Sequence, residues 1–410
     1  MLQAIKVPWS KRKVPKKDKI ILIKKAMAKI ATIFFVIFLL IYSVTSAGKT
    51  PYDYFTRLAD SFLDGKYYLT ENPPWLSELI PAGQEKFYVV YPPMPALILI
   101  PFRFLFKDKF EQQYLAHFLG AGIVILTMLI SWTIKKSKSL AILSGLLIGI
   151  GSIVWFLSAT GSSWYLAQVS AAFFLTVAIY ESLNKKRAIL IGIFLGAAYL
   201  SRLHTILSLP LFLYLLWSKN WFKNYFYLSV GILPFVLFNF YYNFIRFGTI
   251  FDQAYFVLPK ILNELDKPWF AKGVIHIDYI PNNLRAMFWS FPKILNKFPF
   301  IQPSWAGLAI WITTPAFIYA LCAPTKQAIV KLSWLAIFLI FLVVASHGGT
   351  GWAQFGYRFA VDFYPFLILL TIIAISKNRL MWHHWLLLFV GVVVNLWGVL
   401  WINKFGWVGF

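Results

Sequence analysis

Thirteen of the 15 acidic residues of this 410-residue chain fall into three segments, 48–112, 245–302 and 346–362. A carboxylate held against a hydroxyl can take its proton, and the first segment opens with two candidates, Asp53 and Asp60, with Arg57 between them. Arginines stand in or beside the same segments. Arg202 closes the turn Tyr199-Leu200-Ser201-Arg202, Arg246 lies in Asn243-Phe244-Ile245-Arg246-Phe247-Gly248, and Arg358 lies in Phe355-Gly356-Tyr357-Arg358. The planar fork of arginine suits carboxylate and phosphate oxygens. The third segment carries four glycines over residues 348–356, just before Tyr357 and Arg358. Such a run lets backbone come close to a ligand. Asp362 follows Arg358 by four residues, so an ion pair within one helical turn competes with a ligand role for that arginine. His276 and His347 share these segments and His204 follows Arg202, but the spacing of the three matches no compact metal motif. The single cysteine, Cys322, excludes an internal disulfide framework and a cysteine-based zinc site.

The elements that must position these groups are membrane helices. The chain is 60% hydrophobic and 13% charged, with mean hydropathy +0.68, far from a water-soluble domain. Runs near the 20 apolar residues of a spanning helix occur at 30–47, 113–134, 140–157, 163–181, 188–201, 204–218, 225–244, 303–323, 328–346, 363–376 and 381–402. The predicted fold is therefore an all-α polytopic membrane protein with about eleven transmembrane helices. It reads as a basic segment over 1–29 followed by a single transmembrane domain over 30–410.

Ten Lys/Arg residues in the first 29 place the N-terminus in the cytoplasm. Alternation then puts the basic loops around Lys135, Lys185, Lys219, Lys326 and Lys377 inside, and the three acid-bearing segments outside. The inner side would carry +20 and the outer side +4 of the net +24. That pattern explains the charge as membrane topology and attraction to anionic lipid, not nucleic-acid binding. Residues 30–47 have a basic lead and a small-residue end, as a signal peptide does, but the run is long for one and reads as an uncleaved first span. His383 and His384 fall at the inner interface.

Within 48–112, residues 52–63 place Phe55, Leu58, Ala59, Phe62 and Leu63 at helical spacing. This predicts an amphipathic helix in the plane of the interface, with Asp53, Arg57, Asp60 and Asp64 near its polar side. Residues 67–81 read as loop. The apolar run 96–106 is too short to span and reads as a second interfacial or re-entrant helix.

The order of these motifs resembles the GT-C glycosyltransferases that use polyprenyl-phosphate-linked sugars. The nearest branch is bacterial proteins similar to dolichyl-phosphate-mannose protein mannosyltransferases, family 39. Four elements carry the resemblance: the Asp53-Tyr54-Phe55 to Gly65 run leading to Tyr91-Pro92-Pro93-Met94-Pro95, the turn ending in Arg202, the motif around Arg246, and Phe355 to Asp362. The resemblance implies an inverting transfer from a polyprenyl-phosphate sugar to an acceptor hydroxyl on the extracytoplasmic face of the cell (plasma or inner) membrane. It implies a catalytic acid early in the first outer segment, often in an Asp-Glu pair. That pair is absent here; Asp53 is the nearest substitute and Asp60 the alternative. Arg57, Arg202, Arg246, Tyr357, Arg358 and Asp362 would then hold the lipid phosphate or the sugar. Some relatives use a divalent metal; nothing in this sequence requires a cofactor. The acceptor, whether glycan, lipid or protein, is not specified by these motifs. A flippase for a lipid-linked sugar and an O-antigen ligase- or polymerase-like enzyme are the competing readings, although no internal repeat marks a transporter.

Overall fold

Hydropathy and helix length decide which segments cross the bilayer. The structure, a computed structural model, describes residues 17–351 and 353–409. The basic segment expected over 1–29 lies outside the described residues as far as residue 16. Helices run Lys17–Val44 (α1), Tyr54–Leu63 (α2), Met94–Phe106 (α3), Gln112–Ile134 (α4), Lys138–Gly149 (α5), Val154–Thr160 (α6), Ser163–Leu183 (α7) and Ala188–Ser201 (α8). They continue as Leu209–Leu216 (α9), Trp221–Phe247 (α10), Ala254–Ile261 (α11), Ile280–Trp289 (α12), Ile310–Thr313 (α13), Ala328–Ala345 (α14), Tyr364–Ser376 (α15) and Trp382–Gly398 (α16). Two short antiparallel hairpins, Leu79–Pro81 (β1) with Phe87–Val89 (β2) and Lys293–Ile294 (β3) with Ile301–Gln302 (β4), lie in the long loops.

Among the described residues seven helices are long and apolar enough to cross a membrane, or eight if α5 and α6 form one broken span. The expected count of about eleven is not reached by length and composition. The run at 140–157 is bent by 56° between α5 and α6. The run at 204–218 starts as a 3-10 turn, Leu203–Ser208, before α9. The run at 303–323 is not one helix. Its first part is extended, with Leu308 N–H donating to Phe355 O at 2.9 Å and Tyr357 N–H donating to Leu308 O at 3.0 Å. Pro315 then separates α13 from a 3-10 stretch, Pro315–Cys322, because a proline supplies no N–H and crowds the turn before it. Conversely, the 363–376 segment gains a 3-10 lead from Arg358, giving a 19-residue helical stretch of mean hydropathy 2.1.

The spans pack closely where side chains are small. Gly192 on α8 and Gly231 on α10 face each other; a Cβ on Gly192 would meet Leu228 O at 2.2 Å, and one on Gly231 would meet Ile189 O at 2.3 Å. Without a hydrophobic drive between helices in lipid, such close backbone contact is a main source of association.

Hydrogen bonds gather the loops at one end of the bundle. Gln112 donates to Tyr52 O and Gly161 O at 3.1 and 2.8 Å, and Ser163 N–H donates to Tyr52 O at 3.1 Å. These bonds join the start of α4, the end of α6 and the start of α7 to the segment before α2, and the Trp155 indole N–H, donating to Thr45 Oγ1 at 3.0 Å, ties in the end of α1. His276 N–H donates to Ser346 O and Gly348 N–H to Val274 O, both at 2.9 Å. Arg246 Nη1 donates to Val89 O at 2.8 Å, so all three acid-bearing segments meet. Helix α2 forms as expected, but its buried face packs on α3, with Phe55 and Tyr54 beside Tyr91 at ring distances of 5.9 and 5.3 Å. The apolar stripe faces protein where lipid was expected. The loop expected over 67–81 ends in strand β1.

Candidate active site

Between the gathered loops lies a cavity of about 280 Å³. Its polar wall carries Arg202, His204, Arg358, His347, Glu78 and Asp252, with Tyr91, Trp164 and Tyr255; Phe256, Leu258, Val274, Ile275, Val343 and Val344 form an apolar wall. Each polar group arrives on a different element. Helix α8 ends at Arg202, and the following 3-10 turn brings His204. The glycine-rich segment delivers His347 and Arg358, the loop before β1 delivers Glu78, and the turn into α11 delivers Asp252.

Two guanidinium groups share one aromatic ring. Arg202 lies 5.6 Å and Arg358 4.8 Å from the Phe359 centroid. Their charges are handled differently. Arg202 donates twice to Asp362 Oδ2, at 3.1 and 2.9 Å, and His204 Nε2 meets the same oxygen at 2.8 Å. Asp362 is fully buried and its Oδ1 has no hydrogen-bond partner. Arg358 has no carboxylate partner among the described residues. Its Nε and Nη2 donate to Gly351 O at 3.1 and 2.9 Å. The ion pair considered between Arg358 and Asp362 does not form; Asp362 turns to Arg202 and His204. A buried cation bonded only to a carbonyl dipole keeps most of its attraction for an anion.

Neutral and acidic groups complete the wall. Burial pushes His347 down to about 4, with Arg202, Arg358 and His204 adding to the effect, so the ring is neutral. Its Nδ1 lies 3.1 Å from both the N–H nitrogen and the carbonyl oxygen of Gly349. Glu78 is half-buried; its Oε2 accepts the Trp164 indole N–H at 2.9 Å. Burial pushes it up to about 7, against the pull of Trp164 and Arg358. Asp252 is also raised by burial, while its Oδ1 accepts from Ala254 N–H at 2.9 Å at the start of α11. The Tyr91 hydroxyl is buried without a partner.

The residues singled out in the sequence divide into two sets. Arg202, Arg358 and Asp362 come together at the cavity. Asp53, Asp60, Arg57, Arg246 and Tyr357 do not line it. Asp53 is buried at the start of α2 and accepts from Arg57 Nε at 2.8 Å; Arg57 also pairs with Glu71. Asp60 is gripped by Arg103 through two bonds of 2.7 Å, and Arg103 also reaches Asp108 at 2.9 Å. Arg246 fastens α10 to β2, donating to Val89 O at 2.8 Å and to Asn243 Oδ1 at 2.9 Å, and stacks 3.7 Å from the Tyr242 centroid. The Tyr357 hydroxyl donates to Asn283 Oδ1 at 2.8 Å, and Asn283 donates onward to Ala345 O and His347 O. It braces the glycine-rich segment from behind. Sequence reasoning missed Glu78 and Asp252 as wall residues, while Tyr91 stood in the Tyr91-Pro92-Pro93-Met94-Pro95 motif. The two acids sit in loops with no periodicity, and only the surplus of acids in these segments hinted at them. Among the described residues no group of three or more His, Cys, Asp or Glu is placed to hold a metal ion.

The chain superposes on ArnT from Cupriavidus metallidurans bound to undecaprenyl phosphate with a TM-score of 0.52 and 12% identity, over 88% of this chain and 62% of that one. It thus spans less than two thirds of that protein's length. The apo state of the same protein gives a TM-score of 0.47 at 12% identity, over 89% of this chain and 63% of that one. No family model and no curated protein matches the sequence. The structural likeness establishes a polytopic, all-α membrane fold.

Proposed function

We propose that the protein is an inverting membrane glycosyltransferase that moves a hexosyl or pentosyl group from a polyprenyl-phosphate donor to an acceptor hydroxyl. The observation that carries this reading is Arg358, a buried guanidinium without a carboxylate partner, set beside Arg202 in a cavity with one apolar wall. A polyprenyl-phosphate sugar offers the matching parts: one negative phosphodiester, an apolar chain and a polar sugar. Cations placed where charge develops on the departing phosphate favour the transition state. One uncompensated guanidinium suits a monophosphate link better than a pyrophosphate link, which carries an extra negative charge. ArnT, whose structure holds undecaprenyl phosphate, supports the lipid class through its similar fold.

The finer placement, among bacterial relatives of dolichyl-phosphate-mannose protein mannosyltransferases, rests on the order of motifs from Asp53 to Asp362. A topology with α8, the 203–216 segment and 310–322 as additional crossings brings the total to about eleven. The joined ends of α1, α4, α6 and α7 support it, and the basic loops then put the N-terminus in the cytoplasm and the cavity outside. Membrane lipids, the donor and a glycan, lipid or protein acceptor are the partners.

The test is a donor screen with the protein in liposomes and native membrane extract as acceptor, comparing sugar carried on undecaprenyl monophosphate and on undecaprenyl pyrophosphate. Cleavage of the monophosphate donor alone is the expected result. Cleavage of the pyrophosphate donor alone would make the protein ligase-like, and translocation of intact donor would make it a flippase.

A further inference from the structure

Transfer to a hydroxyl needs a base inside the cavity, and neither Asp53 nor Asp60 lines it. Each is held by an arginine away from the cavity, Asp53 by Arg57 and Asp60 by Arg103. We propose that Glu78 is the general base of this site, with Trp164 and Tyr54 as its positioning residues. The proposal rests on the glycosyltransferase reading and deepens it.

Three observations carry it. Glu78 lines the same cavity as Arg358 and Arg202, so proton acceptor and phosphate cradle face one substrate space. It has no cation partner among the described residues, unlike Asp53, Asp60, Glu111 and Asp362. It is also held at both ends. Trp164, at the start of α7, donates to Oε2 at 2.9 Å, while the main-chain N–H of Glu78 donates to the hydroxyl of the buried Tyr54 at 3.2 Å. Tyr54 in turn packs edge-on against Tyr91 and Trp164, at ring distances of 5.3 and 6.5 Å. One bond to one oxygen leaves the other free for an acceptor.

The charged and titratable surroundings agree. Arg358, Arg202, His204, His347 and Asp252 share the wall with Glu78, and Glu264 faces it from the outer loop. Burial raises the carboxyl, Trp164 and Arg358 lower it, and Glu264 adds to the rise. The balance, about 7, is the range in which a base is both deprotonated and basic enough to work. Asp252, the other unpaired acid of the wall, likewise accepts one bond, from the Ala254 N–H at the start of α11.

The step balances as follows. The acceptor oxygen bonds to the anomeric carbon as its proton passes to Glu78. The bond from that carbon to the phosphate oxygen breaks, and its electron pair leaves with the phosphate. The products are the inverted glycoside, polyprenyl phosphate beside Arg358 and Arg202, and a protonated Glu78 that returns its proton to solvent.

The experiment uses the full chain in liposomes, with undecaprenyl-monophosphate sugars as donors and native membrane extract as acceptor. Undecaprenyl phosphate release measures transfer, and undecaprenyl phosphate binding by native mass spectrometry reports on the folded cavity. E78Q should bind undecaprenyl phosphate as the wild type does and release it at least about 100-fold more slowly. D53N and D60N should keep transfer in their folded fraction. E78D should retain part of the activity with a displaced pH profile. An E78Q protein with wild-type transfer overturns the proposal, and so does loss of transfer in folded D53N with E78Q active. Should E78Q fail to bind, E78D decides: an unchanged pH profile overturns the assignment. A wild-type protein that releases lipid phosphate from no donor fails the glycosyltransferase reading itself, which is a different result from a misplaced base.

Discussion

Arg202 and Asp362, 160 residues apart in sequence, meet through bonds of 3.1 and 2.9 Å on one carboxylate oxygen, with Asp362 fully buried. The pair lets one arginine sit in an apolar setting and keeps Arg358 as the uncompensated cation beside it. Removing one partner leaves the other charge stranded. D362A should therefore cost about 3–5 kcal/mol of stability, read as a lower midpoint in thermal unfolding in detergent. An R202M/D362M double variant should recover much of that loss while transfer stays absent.

Gly351 fixes the direction of Arg358. Its φ is +92°, and an added Cβ would lie 3.0 Å from Gln354 Oε1 and 3.2 Å from Arg358 Nε. G351A should cost about 1–3 kcal/mol in backbone strain and turn the guanidinium away from the carbonyl that orients it. Donor KM is expected to rise; a G351A enzyme with unchanged KM would show that Arg358 needs no such anchor.

The Trp164 indole N–H favours the ionised form of Glu78. W164F removes that bond, so the pKa of Glu78 should rise and the acidic limb of the pH–rate profile should move to higher pH. The wild-type rate should climb through about pH 7. A limb that stays put in W164F would detach Glu78 from the profile.

Glu78 also predicts a stability signature. Its pKa in the fold is raised from 4.5 to about 7, so folding favours the protonated group. The contribution is full below about 4.5 and is lost as pH rises through about 7. E78Q, neutral throughout, should unfold at a higher temperature than wild type above that range and at the same temperature below it. Thermal scans at both pH values check this.

The polytopic all-α fold, the acid-rich segments and the arginines at 202 and 358 were legible in the sequence because each is a one-dimensional signal. Long apolar runs, charge asymmetry and a charge at a span end need no partner to be seen. The roles of Asp53 and Asp60 were not legible. Asp60 is taken by Arg103, 43 residues on, a partner that only the packing of α2 on α3 supplies. Asp53 is taken by Arg57, one helical turn away, a spacing the sequence does contain. Glu78 was hidden for the opposite reason: its partners, Tyr54 and Trp164, lie 24 and 86 residues away. The 303–323 segment misled because its hydropathy fits a span, whereas pairing of Leu308 with the glycine-rich segment draws its first half into extended chain.

The most direct measurement is cleavage of an undecaprenyl-monophosphate sugar, with native membrane extract as acceptor, by purified wild-type protein and by R358A in liposomes, each shown to be folded by its unfolding transition. The account predicts release of undecaprenyl phosphate by wild type and a loss of at least about 100-fold in R358A. Equal release by R358A, or no cleavage by wild type of any monophosphate donor, would contradict it.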